Sequence, residues 1–380
     1  MILFDVTRTL SRRGAAAPTG IDRVERAWFD WASRKPGALC IARFGDSVAL
    51  LEPDAVERIM SDRGGPDLRA SITPWRDRFR RLLEASVRRH CRWYGSMRGL
   101  CGPAGTGSFT HFTYINVGHS ALGPDYLATL RAIGAERIVV MVHDMFPIDR
   151  PGETRPDVTR RFGIAMRAVS AFADLVIYVS DYSRGQAERH FAHWGRVPEG
   201  VVAHPGVDVP ALPPRRPVAK RFLMVGTVEP RKNHAFLLDL WPELAPDGHR
   251  LHVVGRPGWA DGSVFDALAN TEGVTYHGAL DDADLGYQMS RAVALLFPSH
   301  DEGAGLPVGE ALAVGLPVLA ADLPSLGEIY PKGPVFLPGN DAGAWISAIR
   351  RFSAETPGQD FAPALPRWDH HFKGLERLVD

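Results

Sequence analysis

Short apolar runs rich in Val, Ile and Phe alternate along the chain with longer segments in which apolar residues recur every three or four positions. This alternation predicts repeated strand-helix units and therefore an α/β fold built on parallel sheets. In the first half the predicted strands are residues 2–6, 112–117, 138–142, 175–179 and 201–203, and the predicted helices are residues 20–33, 75–92, 123–133, 157–172 and 182–193. A predicted hairpin over residues 39–51 interrupts this series.

The second half repeats the pattern after a proline-rich segment. Residues 205–217 contain five prolines, which fit neither a helix interior nor a central strand, so this segment predicts a linker. The predicted strands that follow are residues 222–225, 251–254, 274–277, 293–297 and 317–319, and the predicted helices are residues 234–244, 264–269, 283–291, 307–314 and 342–351.

This organisation predicts two Rossmann-like domains in tandem. We predict an N-terminal domain over residues 1–205, a linker over 206–217 and a C-terminal domain over 218–360. Residues 361–380 complete the chain, and a helix over 368–379 is predicted to cross back to the N-terminal domain. Ligands of such sheets bind at the carboxyl ends of the strands, so we expect the functional site in the cleft between the domains.

Composition narrows the class of protein without naming its chemistry. The 380 residues are 45% hydrophobic and 23% charged, which excludes disorder, a coiled coil and a collagen-like chain as the main state. Residues 311–321, the longest apolar stretch, are too short and too broken by Gly and Pro to span a bilayer. Cys40, Cys91 and Cys101 share no metal-ligand spacing, which fits a reducing cytoplasm.

The charge is balanced overall but differs between the halves. Residues 1–205 carry 29 basic and 22 acidic side chains, whereas the remainder carries 15 and 22. The basic excess is concentrated between Arg76 and Arg98, where Phe79, Leu82, Leu83 and Val87 share one helical face flanked by arginines. This pattern predicts a peripheral protein on the inner face of the cytoplasmic membrane, bound to anionic lipid. The alternative is an amphipathic helix docked on the first domain; we expect no nucleic-acid partner.

The strongest candidate for chemistry is the loop within residues 297–310. A predicted strand and a predicted helix flank it, and Gly303 and Gly305 allow backbone amides and the positive helix end to approach a ligand. Glu302 and Glu310 are expected to reach into the same pocket. The loop therefore predicts a phosphate cradle, although a solvated surface loop with two glutamates would show a similar pattern.

A second candidate follows the first strand of the second half. Arg231 and Lys232 come at a strand end where a helix begins, so both cations can meet phosphate oxygens, as a leaving diphosphate requires. A solvated cluster at the start of a helix is the alternative. Gly226 is the lone glycine of this turn, so the segment is neither a dinucleotide fingerprint nor a P-loop.

Together these two segments resemble a known family. Gly-Thr-Val-Glu-Pro-Arg-Lys-Asn-His at 226–234, followed by Phe-Pro-Ser-x-x-Glu-Gly-x-Gly-Leu-Pro-x-x-Glu-Ala at 297–311, is similar to the retaining, nucleotide-sugar-dependent glycosyltransferases of family 4, which have the GT-B fold. The resemblance is strong over residues 221–330 and weaker elsewhere. Within the family, the first segment resembles bacterial mannosyltransferases of surface polysaccharide assembly.

The resemblance implies roles for individual residues. In the C-terminal domain Arg231 and Lys232 would contact the diphosphate, Glu302 the transferred sugar and Glu310 the ribose. Backbone amides would come from Gly303, Ala304, Gly305 and Leu306, and Gly226 would also bind the donor. The base would be lined by Gly255, Arg256, Ala279 and Leu280.

In the N-terminal domain the resemblance is carried by fewer residues. Gly20 would let the backbone approach the donor, and His143 with Asp144 would act beside the reacting sugar. The alternatives are a helix capped by Thr19 and a strand-end histidine followed by an Asp turn. Ser180 to Ser183 is expected to cap a helix rather than to take part in catalysis.

The resemblance therefore implies transfer of a hexose, with retention, from a nucleoside diphosphate sugar to a saccharide or polyprenyl-linked saccharide. GDP-mannose is the first donor expected. No metal or cofactor is expected, because Asp282 and Asp284 open a helix as cap residues and the histidine pairs lack further ligands at metal spacing. A sugar-nucleotide epimerase of GT-B fold and a non-catalytic GT-B partner subunit remain the alternatives.

Overall fold

A computed structural model describes residues 1–14, 17–61, 73–96, 99–101, 111–209, 212–354 and 364–379. Within these residues the chain forms two sheets, one from each half of the chain, and each is flanked by helices. The first sheet has eight strands and the second has six. The chain thus adopts the predicted α/β architecture with two Rossmann-like halves.

The N-terminal sheet is mixed, and its parallel part carries the cleft. Its strands run in the spatial order β4-β3-β2-β1-β5-β6-β7-β8, with β3 antiparallel to both neighbours and the other pairs parallel. They are β1 Ile2–Asp5, β2 Leu39–Phe44, β3 Ser47–Leu51, β4 Trp93–Ser96, β5 Phe112–Asn116, β6 Ala135–Val142, β7 Leu175–Tyr178 and β8 Glu199–Val202. The predicted hairpin is confirmed as β2-β3.

Helices cover both faces of this sheet. They are α1 Thr7–Ser11, α2 Gly20–Ala32, α3 Pro53–Ser61, α4 Thr73–His90, α5 Pro124–Ala132, α6 Phe146–Asp149, α7 Pro156–Phe172 and α8 Asp181–His193. Strand residues alternate between two buried clusters, one on each face. Burial on both faces explains why these strands appear as continuous apolar runs.

The C-terminal sheet is parallel throughout. Its spatial order is β11-β10-β9-β12-β13-β14. The strands are β9 Arg221–Val225, β10 Arg250–Val254, β11 Val274–Tyr276, β12 Ala294–Phe297, β13 Val318–Ala321 and β14 Val335–Leu337. The helices are α9 His234–Leu244, α10 Gly262–Asn270, α11 Asp282–Arg291, α12 Leu306–Ala313, α13 Pro324–Ile329 and α14 Ala342–Ala354. The order changes direction between β9 and β12, and the two candidate loops follow these strands.

The last helix, α15 Trp368–Val379, returns to the N-terminal domain. Phe372 stacks on Trp31 at a ring distance of 5.4 Å, and Trp28 Nε1 donates to His371 Nε2 at 3.1 Å. Because Trp28 and Trp31 lie on α2, the end of the chain packs on the helix that begins at Gly20. Aromatic pairs of this kind stabilise beyond the area that they bury.

The two domains meet along the carboxyl ends of their strands. Ser180 Oγ donates to Gly303 O at 2.9 Å. The Glu328 carboxylate accepts from the backbone N–H groups of Asp181 at 2.7 Å and Tyr182 at 3.1 Å, at the start of α8. A carboxylate at a helix N-terminus is favoured by the helix dipole, so this contact holds the domains together.

The arginine-rich helix α4 is docked on the N-terminal domain over part of its length. Leu83 and Val87 are buried in the core there, while Leu82 is 54% exposed. The expectation that all four apolar residues face a membrane is wrong for Leu83 and Val87, because the fold itself covers them. The side chains of Arg76, Arg78, Phe79 and Arg80, and all of Arg98, lie outside the described residues. Among the described helices, none has the length and apolarity to cross a bilayer.

Candidate active site

A cavity of about 380 Å³ lies between the domains. Both domains contribute to its wall, and every site residue predicted from the sequence lies in that wall. These residues are Gly20, His143, Asp144, Gly226, Arg231, Lys232, Gly255, Arg256, Ala279, Leu280, Glu302, Gly303, Ala304, Gly305, Leu306 and Glu310. The volume is within the range of small-molecule sites.

Glu302 lies between two cations in this wall. Its Oε2 is 2.9 Å from Arg231 Nη1, and its Oε1 accepts a hydrogen bond from Lys232 Nζ. Burial would raise the pKa of Glu302, but the adjacent Lys232 and Arg231 lower it below its ordinary value. The carboxyl group is therefore ionised. Arg231 Nη2 also lies 2.9 Å from the buried Glu229 Oε1, so the cluster contains two cations and two carboxylates. Burial lowers the pKa of Lys232, although Glu302 acts in the opposite direction.

The loop that carries these cations has a fixed shape. Residues Pro230–Lys232 form a 3-10 turn, and Asn233 follows in the left-handed conformation with φ of 56°. Asn233 Nδ2 donates to Pro298 O at 3.2 Å, which ties this loop to the end of β12. Asn tolerates the left-handed region better than most residues, and this bond adds a second reason for Asn at this position.

The glycines of the loop after β12 are required by close approaches. Gly305 has a φ of 59°, and it precedes the first residue of α12. A Cβ atom on Gly303 would lie 1.9 Å from the carbonyl oxygen of His143 in the other domain. Gly303 is therefore a domain contact as well as part of the predicted phosphate cradle.

His143 is held in one tautomer at the cavity wall. Its Nε2 donates to Val117 O at 2.8 Å, and burial lowers its pKa. A neutral ring protonated at Nε2 leaves Nδ1 as a hydrogen-bond acceptor. The His119 ring packs edge-on against the His143 ring, with 4.9 Å between the ring centres, and helps to hold it in this orientation. His143 is thus suited to accept a hydrogen bond from a ligand hydroxyl.

Asp144 follows directly and faces the second domain. Its Oδ1 accepts from the backbone N–H of Phe146 at 3.2 Å. Burial and the nearby charge of Asp144 raise the pKa of Asp301 to about 6. Two carboxyl groups from different domains therefore approach each other near Arg231, an arrangement that sequence reasoning missed for Asp301.

Glu310 is paired with a residue that the sequence did not single out as functional. Its Oε1 lies 3.0 Å from Arg23 Nε, and Arg23 Nη2 also bonds Asp282 at 2.6 Å. Burial raises the pKa of Glu310 to about 7, although Arg23 acts in the opposite direction. Arg23 thus joins α2 to two carboxylates of the C-terminal domain.

The expected capping role of Asp282 is wrong in detail. Asp281 is the cap, because its side chain accepts from the backbone N–H of Asp284 at 2.9 Å. Asp282 lies in the first turn of α11, where it is free to face Arg23. No group of three or more His, Cys, Asp or Glu side chains among the described residues is placed to hold a metal ion.

The segment before α2 caps the helix through Thr19, and it also faces the other domain across the cleft. Thr19 and Asp22 form a reciprocal capping box, and a Cβ atom on Gly20 would lie 3.4 Å from Leu306 across the cleft. Asp22 also bonds Arg8 and Arg12, each at 2.9 Å. Arg8 lines the cavity and was missed, because a five-residue helix gives no periodic pattern.

Comparison with known proteins agrees with this geometry. Residues 219–355 match the family model described as glycosyl transferases group 1. Serotype-specific mannosyltransferase WbdA of Escherichia coli is 32% identical over 267 residues, which cover 63% of this chain and 30% of that protein. O-antigen chain mannosyltransferase B of Escherichia coli is 29% identical over 259 residues, covering 64% of this chain and 67% of that protein. The chain thus spans less than a third of the length of WbdA.

Solved structures show the same fold at low identity. Sucrose-phosphate synthase from Thermosynechococcus elongatus superposes with a TM-score of 0.63 at 18% identity, covering 99% of this chain and 97% of that one. WaaG, a glycosyltransferase involved in lipopolysaccharide biosynthesis, gives a TM-score of 0.56 at 13% identity with full coverage of both chains. The chain therefore has a GT-B fold, and its residues 219–355 are similar to the group 1 glycosyl transferases.

Proposed function

We propose that this protein transfers a hexose from a nucleoside diphosphate sugar to a hydroxyl group of a saccharide acceptor. The observation that carries the proposal is the cluster of Arg231, Lys232 and Glu302 in the cleft wall. A departing diphosphate gains negative charge on its leaving oxygen, and preorganised cations in a water-excluded site stabilise that charge most effectively. The amides of Gly303 to Leu306, at the start of α12, would add donors to the same group.

The remaining residues would orient the sugar and the acceptor. Glu302 would accept hydrogen bonds from the transferred sugar, while its two carboxylate oxygens also remain bonded to Arg231 and Lys232. His143 Nδ1 would accept from a sugar hydroxyl, and Asp144 would orient or deprotonate the acceptor hydroxyl. Glu310 would bind the ribose, with the Arg23 contact exchanged for the ribose hydroxyls. Retention of anomeric configuration is proposed from the family resemblance.

Mannose is the proposed sugar and GDP-mannose the proposed donor. The similar proteins WbdA and the O-antigen chain enzyme of Escherichia coli are named as mannosyltransferases, as is RfbU of Salmonella typhimurium at 34% identity over 168 residues. We propose a saccharide or polyprenyl-linked saccharide as the acceptor, within surface polysaccharide assembly. The cations of the cleft would act without a divalent metal, so EDTA should leave initial rates unchanged.

We also propose that the protein binds peripherally to the inner face of the cytoplasmic membrane. Leu82 is 54% exposed on α4, and Arg88, Arg89 and Arg92 are exposed at or beyond its end. Basic residues near an anionic surface contribute up to about 1 kcal/mol each.

Liposome flotation at low salt should detect association that is lost when Arg80, Arg81, Arg88 and Arg89 become Glu. Reversing four arginines of the C-terminal domain, Arg250, Arg291, Arg350 and Arg351, is the control and should leave association unchanged; no flotation at low salt would refute this part.

The catalytic proposal is tested by a donor screen followed by a transfer assay. Thermal shift with GDP-, UDP-, ADP- and dTDP-sugars should show the largest stabilisation by GDP-mannose, because a ligand that binds the folded state raises its stability. Transfer to an α-mannoside, with the product anomer assigned by NMR, should then give an α-linkage. Release of a free or epimerised sugar without transfer would instead favour the epimerase, and the absence of any donor binding would favour a non-catalytic subunit.

A further inference from the structure

The cleft contains an exposed tryptophan that the proposed chemistry does not use. Trp259 is 38% exposed and lines the cavity that contains Glu302 and Glu310. It lies on the loop between β10 and α10. Large aromatic side chains exposed in a polar cleft are candidates for contact with a ligand, because their faces otherwise lie against water.

The position of Trp259 is fixed by backbone contacts on both sides. The N–H group of Val228 donates to Arg256 O at 3.0 Å, and the N–H group of Ala260 donates to Val228 O at 3.3 Å. A Cβ atom on Gly258 would lie 2.4 Å from Val228 O. The loop of Trp259 is therefore joined closely to the loop that continues to Arg231, and no larger residue fits at position 258 without displacement.

The edge of the indole ring is anchored across the cleft. Trp259 Nε1 donates to Glu153 O at 3.1 Å. Glu153 is itself held by His300 Nδ1 at 3.1 Å and Arg150 Nη1 at 2.9 Å. With its polar edge satisfied and its position fixed from two domains, the ring is available to a ligand only through its apolar face.

The neighbouring wall of the N-terminal domain contains a hydroxyl without a partner. Thr154 is 8% exposed and lines the same cavity, and its Oγ1 has no hydrogen-bond partner among the described residues. A buried hydroxyl left unsatisfied costs about 1–3 kcal/mol. A ligand hydroxyl bound beside Trp259 would relieve this cost.

We propose that Trp259 and Thr154 form a subsite for a pyranose ring of the acceptor, with one apolar ring face stacked on the indole and one ring hydroxyl bonded to Thr154 Oγ1. The subsite rests on the proposed function and deepens it. An aromatic face beside a hydroxyl group matches a sugar, which has an apolar face of C–H groups and hydroxyl groups around its rim.

The position of the subsite indicates the acceptor rather than the nucleotide base. Thr154 follows His143 and Asp144 through the short helix α6, whose Phe146 ring lies 5.5 Å from the Arg231 guanidinium. A ligand at Trp259 therefore lies beside the residues proposed to act on the acceptor hydroxyl. The proposed base site is built around a different contact, because Gly255 N donates to Gly278 O at 2.8 Å, beside Ala279 and Leu280.

The test separates acceptor affinity from nucleotide affinity. Trp259→Ala should raise KM for methyl α-mannoside by about tenfold with GDP-mannose as donor, the scale of one aromatic stacking contact. The Kd for GDP, measured by titration calorimetry, should stay within about twofold. Trp259→Phe should recover most of the loss. Thr154→Val should raise KM for methyl α-mannoside, whereas Thr154→Ser should behave as wild type. Tyr287→Ala, at an exposed aromatic residue of α11, is the control and should change neither constant.

Three results would overturn the subsite. A loss of GDP affinity in Trp259→Ala with KM unchanged would place the base on the indole. An unchanged KM and Kd would show that Trp259 touches neither ligand. Wild-type protein that binds GDP but neither binds nor modifies the mannoside would refute a pyranose subsite of this kind while leaving the nucleotide site in place. Failure to bind any nucleoside diphosphate would instead refute the proposed function, and the subsite with it.

Discussion

Lys232 is 8% exposed in the cleft wall, and its ammonium group bonds Glu302. We predict that Lys232→Ala raises the activation free energy by roughly 2–4 kcal/mol and lowers kcat accordingly. The reason is the loss of one preorganised positive charge that would face the departing diphosphate. The measurement is kcat with GDP-mannose, alongside circular dichroism to show that the protein is folded. Lys332→Ala, at an exposed lysine, is the control. A folded Lys232→Ala enzyme with wild-type kcat would contradict the assignment.

Glu25 is a buried carboxyl group that is 1% exposed on α2. Burial raises its pKa to about 8. The folded state then holds a proton that the unfolded state has lost, so stability falls as pH rises from about 4.5 to about 8. Glu25→Gln should remove this fall. The difference in free energy of unfolding between Glu25→Gln and wild type should therefore be more favourable to the variant at pH 9 than at pH 5, by on the order of 3 kcal/mol.

Urea unfolding of both proteins at pH 5, 7 and 9 measures this difference. The exposed Glu272→Gln is the matched control, and its unfolding should follow the wild-type pH dependence. Parallel pH profiles for wild type and Glu25→Gln would show that Glu25 is not a titrating buried acid.

At the residue scale, sequence reasoning found what local motifs encode. Lys232, Glu302 and Gly303 belong to segments whose glycines, prolines and charges occur in a specific order, so the sequence alone locates them. Arg23 and Trp259 could not be found in this way, because each acts on the opposite domain and nothing in its own segment specifies that partner. For Trp259 the clue that could have been used is an aromatic residue shortly after Gly255 at the end of β10, and for Arg23 it is a cation in the first turn of α2 after Gly20.

At the scale of elements, α2 connects the cleft to the rest of the molecule through Arg23. Its guanidinium group contacts Glu310 at 3.0 Å and Asp282 at 2.6 Å. We predict that Arg23→Met destabilises the protein by about 1–3 kcal/mol at pH 8, because a buried carboxylate loses its charged partner. The loss should be smaller at pH 5.5, where Glu310, with a pKa of about 7, is mostly protonated.

Denaturant unfolding at the two pH values is the measurement. Arg26→Met provides the control on the same helix, since Arg26 is half-exposed and pairs with Asp30 and Glu57. Its effect should be small and equal at both pH values. An equal loss at pH 5.5 and pH 8 for Arg23→Met would contradict an ion pair that depends on Glu310.

The elements that the sequence predicted correctly are those with long or strongly apolar patterns. Helix α9 has the predicted bounds, and most other predicted elements shift by one to three residues. The strands β4 and β14 and the helices α1, α3, α6 and α13 were not predicted, and among them α3 is as long as the predicted α5. β4 and β14 have three or four residues and only partial burial, and α13 has six residues, so neither period can be recognised over such lengths. Their strand partners and buried neighbours, rather than their own patterns, specify them.

At the scale of the whole molecule, the contact of Gly303 with His143 sets how closely the domains meet. Gly303→Ala would place a methyl group 1.9 Å from His143 O, and the backbone cannot give way there without separating the domains. We predict a larger radius of gyration by small-angle X-ray scattering and a strong loss of transfer activity, with each domain still folded. Gly152→Ala, at a position with open space for a Cβ atom, should change neither. An unchanged radius of gyration with full activity would show that this approach does not limit closure.

The fold class, with two parallel-sheet halves, could be predicted from the repeated strand-helix series. The contacts across the cleft could not, because Glu328, Ser180 and Arg23 find their partners more than a hundred residues away. Such pairings depend on the angle between two bodies, which no local pattern specifies.

The central claim is that a nucleoside diphosphate binds in the cleft against Arg231 and Lys232. Titration calorimetry of GDP into wild type, Arg231→Ala, Lys232→Ala and the control Lys332→Ala tests it without knowledge of the acceptor. We predict binding to wild type and to Lys332→Ala, and at least tenfold weaker binding, about 1.4 kcal/mol, for each of the two cleft variants. Failure of GDP and UDP to bind the wild-type protein, or equal affinity in all four proteins, would contradict the account.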